Sequence, residues 1–131
     1  MSDSVDLVRS IHAAWERGDF RSAAWAHADI EYRTVGFDGR HGVGVDAMSE
    51  LWREWVSAWE EYRVEVEEVR GLDDGRVLVL MRHGGRGKSS GIAIEDMKPG
   101  ANVFDVRAGR VAALTLYLDR ERALTDLGLE R

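Results

Sequence analysis

The stretch from Ala101 to Leu129 constrains this chain more than any other. Residues 101–107 and 110–118 read as two strand-like runs, and Ala108-Gly109 between them supplies a two-residue hairpin turn. The second run passes without a linker into a short amphipathic helix, Asp119 to Leu127, with Asp119 as its cap and Gly128 as its stop. A hairpin that feeds a helix in this way, preceded by helices and further strands, predicts a single α+β domain over residues 1–131. A chain of this length can bury roughly two-thirds of its unfolded surface, enough for one core.

Upstream, Val5, Leu7, Val8, Ile11, Ala14 and Trp15 recur at three- and four-residue spacing, which predicts a helix over 4–17 ended near Gly18. Asp19 to about Ala28 reads as a second short helix, and 30–35 as a strand. Residues 36–44 read as a glycine-rich loop. The strongest helix pattern runs from Asp46 to Glu60, with Met48, Leu51, Trp52, Trp55, Val56 and Trp59 on one broad face. Strands follow at 62–69, 76–83, about 91–107 and 110–118. Pro99-Gly100 inside the long strand calls for a bulge or an edge position, because proline cannot donate to the ladder. Val77 to Met81 is apolar at every position, so both faces of that strand must be covered. Helices can cover one face; the expectation for the other is a second copy of the chain, a homodimer through the sheet face.

The net charge of −6 argues against a nucleic-acid partner, whose phosphates call for cations. The basic cluster Arg82-His-Gly-Gly-Arg-Gly-Lys88 lacks phosphate-loop spacing and reads as a solvated turn. The chain has no cysteine, which removes disulfides, thiolate metal sites and cysteine nucleophiles. Its acidic start and the lack of a long apolar run point to a cytoplasmic protein without a membrane partner. The histidines at 12, 27, 41 and 83 have no metal-ligand spacing, so neither metal nor cofactor is expected.

Certain segments carry a family resemblance: Ala14-Trp-Glu-Arg-Gly-Asp-Phe20, Trp52-Arg-Glu-Trp-Val-Ser-Ala-Trp59, Val77-Leu-Val-Leu80, Gly85-Arg-Gly-Lys88, Gly100-Ala-Asn-Val-Phe104 and Tyr117-Leu-Asp-Arg-Glu-Arg-Ala-Leu124. With the order of elements, they resemble SnoaL-like and ketosteroid-isomerase-like proteins of the nuclear transport factor 2-like superfamily, over essentially the full chain. The resemblance implies a cone: a curved antiparallel sheet wrapped around helices, enclosing an apolar pocket. It is nearly silent on reaction, because the fold hosts isomerases, cyclases, dehydratases, epoxide hydrolases and non-enzymatic domains. At the three catalytic places of the ketosteroid isomerases it puts Ile11, Thr34 and Asn102. Ile11 donates no hydrogen bond and Thr34 is a poor base, which argues against that isomerisation.

The pocket is expected to be lined by Trp15, Tyr32, Thr34, Trp52, Trp55, Met81, His83 and Asn102, and to hold a small apolar or polyketide-like molecule. His83, at a strand end, is the candidate for acid–base work. Asn102, an amide among apolar strand neighbours, is the candidate to orient a carbonyl. His12 reads as a core or half-exposed histidine. Whether the chain catalyses a lyase, isomerase or hydrolase reaction, or is a non-catalytic dimerisation module, stays open at this level.

Overall fold

A computed structural model of the chain describes residues 3–19, 24–35, 40–57, 59–72, 75–87 and 93–129. Among them are α1 (Asp3–Glu16), β1 (Ala26–Val35), β2 (His41–Val43), α2 (Val45–Ser57), β3 (Trp59–Gly71), β4 (Arg76–Gly87), β5 (Ala93–Arg107), β6 (Arg110–Tyr117) and α3 (Arg120–Asp126). The strands form one curved, unclosed six-stranded sheet in the order β2-β1-β6-β5-β4-β3. All pairings are antiparallel except that of β1 with β6, so the sheet is mixed.

The amphipathic pattern of α1 lays Val8, Ile11 and Trp15 into the core. Its end is tied off when Asp19 N–H donates to the Ala14 carbonyl and Gly18 N–H to that of Trp15. On the next helix, α2, the described core contribution is Met48, with Leu51 and Trp52 partly buried against it. Gly42 of β2 makes that packing possible: a Cβ there would stand 3.0 Å from Leu51 Cδ1 and 3.1 Å from Ala47 Cβ. Both helices lie over the face of the sheet that carries Ile30, Tyr32, Val64, Val79, Met81, Phe104 and Leu114.

Sequence and structure part company in several places. From Ala26 onward the supposed second helix is strand β1, Ala24 and Trp25 form a turn before it, and 20–23 lie outside the described residues. Alanine favours helix, but here pairing with β6 overrides propensity. The glycine-rich loop contains the short edge strand β2, with 36–39 outside the described residues. Arg82–Gly87 continues β4 rather than forming a turn, and Arg82 Nε donates to Glu67 at 3.0 Å. Pro99 and Gly100 pair in register with Arg82 and Met81. The irregularity falls earlier in β5, where pairing moves from His83↔Lys98 to Gly85↔Ile94. Pro99 is tolerated because pairing of β5 with β6 begins only at Ala101, leaving no ladder partner on that side.

The consecutive apolar run of β4 is covered on both faces, as expected, yet the cover is internal. Leu78 packs with Ala101, Val103 and Tyr117, and α3 adds Ala123 and Leu124. Leu78 is fully buried within one chain, so its burial requires no second copy. Asp119 caps α3 by accepting a hydrogen bond from Glu121 N–H at 3.0 Å.

Candidate ligand-binding site

Three elements bring polar side chains together on the helix-covered face. His12 comes from the middle of α1, one helical turn before Trp15. Asn102 comes from β5, paired with Val79 of β4 and Leu116 of β6. His83 comes from β4, in step with Val79 and Met81, and so shares their face. They are also the buried polar residues among those described: His12 and Asn102 are 1% exposed and His83 is 4% exposed.

His12 Nε2 and Asn102 Nδ2 lie 3.1 Å apart. Burial pulls the His12 pKa from the usual 6.5 to about 3, so the ring is neutral at physiological pH. As placed, Asn102 donates to Nε2, leaving the His12 Nδ1 and Asn102 Oδ1 atoms without protein partners. Turning the amide round exchanges donor and acceptor but still leaves one unspent atom on each residue.

His83 lies across Gly100. A Cβ at residue 100 would stand 3.0 Å from His83 Cδ2 and 3.3 Å from Nε2, so the ring occupies the space that the glycine leaves. Burial lowers the His83 pKa, and a hydrogen bond to the Leu118 backbone opposes that shift. His83 Nε2 is buried and has no protein partner.

Aromatic rings surround the His12 end. Ring centroids of His12 and Trp15 are 4.6 Å apart, edge to face, and those of His12 and Phe104 are 5.7 Å apart. Trp15 also meets Trp52 at 5.1 Å and Trp25 at 6.2 Å. The surroundings are thus apolar with a few fixed polar atoms, the usual make-up of a small-molecule site.

The expected lining residues fare unevenly. Trp15, Tyr32, Met81, His83 and Asn102 are buried on this face, and Trp52 is half-buried at its margin. Thr34 shares the face of Tyr32, but its Oγ1 accepts a hydrogen bond from Arg40 N–H at 2.9 Å, tying the end of β1 to the residue before β2. The Trp55 side chain lies outside the described residues, as do those of Glu95 and Asp96. His12, Trp25 and Phe104 were not anticipated in the site. The signal for His12 was its spacing: three residues before Trp15, it lies on the same helical face. Among the described residues, no three potential ligands gather as a metal site would need, and no helix is long and apolar enough to cross a membrane.

Comparison with solved structures shows the same architecture. A nuclear transport factor 2-like protein from Burkholderia thailandensis superposes with a TM-score of 0.79 at 19% identity, covering 97% of this chain and 98% of that one. A protein with a ketosteroid isomerase-like fold from Catenulispora acidiphila, in complex with trimethylamine, gives 0.70 at 19% identity, with 95% and 94% covered. A putative polyketide cyclase from Xanthomonas campestris gives 0.68 at 21% identity, with 94% and 95% covered. At these identities the likeness shows the fold alone. No curated protein matches the sequence. The SnoaL-like domain family matches residues 8–114, from the first core residue of α1 to Leu114 of β6, and the chain belongs to that family.

Proposed function

We propose that this SnoaL-like domain binds a small, largely apolar molecule on the face enclosed by α1, α2 and the sheet, with His83 as the group suited to acid–base work there. One observation carries the reading: His12 Nδ1, Asn102 Oδ1 and His83 Nε2 are buried on one face without protein partners. Buried polar atoms in native proteins are paired as a rule, with protein, water or ligand, and three such atoms beside an aromatic cluster are groups that a small molecule bearing polar atoms would satisfy. The trimethylamine complex and the putative polyketide cyclase among structural relatives support a small-molecule role. The three atoms have almost no accessible surface, so entry requires a side chain to move. Trp52, half-buried on α2, is the side chain placed to do so.

The test is native mass spectrometry of the protein as purified, followed by titration with a panel of small aromatic compounds read by tryptophan fluorescence. A co-purified small molecule, or saturable change with part of the panel, is the expected result. Failure of both leaves the aromatic cluster as plain core. The chain is then better described as a non-catalytic module, and sedimentation analysis reports whether it dimerises.

A further inference from the structure

Resting on the ligand-binding reading above, we infer that the molecule received at His83 is a hydrogen-bond donor: a hydroxyl or N–H group on an apolar, ring-sized body, presented to Nε2. The inference comes from the tautomer of His83. Leu118 N–H is committed to the Val35 carbonyl at 3.2 Å, so the Leu118 backbone can meet a histidine ring only through its carbonyl. A carbonyl accepts, and the ring must therefore donate to it. Nε2 has no partner, which assigns the bond to Leu118 to the other nitrogen, Nδ1. Nδ1 carries the proton and Nε2 presents a bare lone pair.

The surroundings keep it that way. His83 is 4% exposed, and burial disfavours the protonated ring. Gly100 leaves room for the ring beside β5, and the Tyr117 carbonyl, 3.0 Å from where a Cβ would stand, closes off the alternative of a side chain there. An incoming carbonyl or ether oxygen would set lone pair against lone pair at Nε2. An O–H or N–H group completes its hydrogen bonding. Asn102, two residues along β5 from Gly100 and on the same face, keeps one amide atom for a second polar group on the same molecule. The occupant is thus a phenol, an enol or an alcohol of apolar body in preference to the matching hydrocarbon, ketone or ether.

Para-cresol and para-xylene test this directly, since they share a shape and differ by a hydroxyl in place of a methyl. Calorimetric titration of both into the unaltered chain and into His83→Leu gives a ratio of affinities in each. We expect the cresol-to-xylene ratio to fall about tenfold in the variant, the worth of one buried hydrogen bond. An unchanged ratio overturns the inference while leaving the ligand-binding reading intact. Binding of neither compound to the unaltered chain, with the compound panel also silent, overturns both. Because the variant is open to folding defects, long-range proton–nitrogen NMR of the unaltered chain supplies a second readout. It should show the proton of His83 on Nδ1, and an Nε2 resonance that shifts with cresol and not with xylene. A proton on Nε2 overturns the inference.

Discussion

A methyl group at residue 100 has nowhere to go. It would meet the His83 ring at 3.0 Å on one side and the Tyr117 carbonyl at 3.0 Å on the other, and the second contact is backbone. Gly100→Ala should therefore displace His83 and cost about 1–3 kcal/mol of stability, as overpacking in a closed interior does; urea unfolding measures the cost. His12 gives a prediction in pH. Its pKa lies near 3 folded against 6.5 unfolded, so below about pH 6.5 the unfolded chain binds a proton that the folded chain refuses. Stability is full above pH 6.5 and should fall by about 1.4 kcal/mol per pH unit on acidification, with His83 adding in the same direction. His12→Gln, which keeps an amide for Asn102 but does not titrate, should flatten that slope. A slope unchanged in the variant would mean that His12 is not the buried group responsible. The site was partly legible beforehand for physical reasons. An amide among Ala101, Val103 and Phe104 stands out in any strand, and alternation along β4 put His83 with Met81. His12 reads in the sequence only as a core or half-exposed histidine, and matching to the family puts its neighbour Ile11 at the catalytic place. What decides between them is that His12 meets Asn102, a contact 90 residues away in sequence.

The segments that carry these side chains are held by backbone-directed bonds from outside the core. Arg120, the first residue of α3, donates to the Met81 carbonyl at 2.9 Å and the Gly100 carbonyl at 3.3 Å, and pairs with Glu67 of β3. One guanidinium thus stitches β3, β4 and β5 where the His83 ring crosses Gly100. Arg120→Met keeps much of the stem but strands both carbonyls, and should cost about 1–3 kcal/mol by chemical unfolding. Glu16 does similar work at the end of α1: its carboxylate accepts Val66 N–H at 2.9 Å, next to the irregularity in β3 between Val66 and Glu68. Strand irregularities of this kind leave a donor unpaired, and Glu16 supplies the acceptor. Local pattern revealed α1, α2, β4, β6 and α3, because each has a strong period or turn signal of its own. It missed the start of β1 and all of β2, since Ala26–Ala28 has no strand signature and His41–Val43 is too short to show one, and it ran the helix past Ser57 into Trp59 and Glu60, which begin β3. Those segments are strands because neighbours pair with them, which is information held elsewhere in the chain.

The apolar run of β4 needs cover on both faces, and α3 supplies cover that the sequence reading leaves uncounted. Five consecutive apolar residues do require cover on both faces, but the cover on the second face comes from α3, seven residues long and closing the same chain. Leu78 and Ala123 are wholly buried there and Leu124 nearly so, while Leu80 of the same face is only partly buried. A test follows from the order of the polymer. If α3 is the cover, Leu124→Ala removes buried surface within one chain and should cost about 2–4 kcal/mol. That loss should be the same over about a hundredfold range of protein concentration, because mass action enters only when a second copy takes part. If a partner chain supplied the cover instead, the unaltered protein would gain stability as concentration rose and the effect of the substitution would vary with it. Urea unfolding of both proteins at two concentrations separates the cases. A concentration-dependent loss would restore the sheet face as an interface between copies. A constant loss would make α3 the cover of this second face, on the side of the sheet opposite His12, Asn102 and His83.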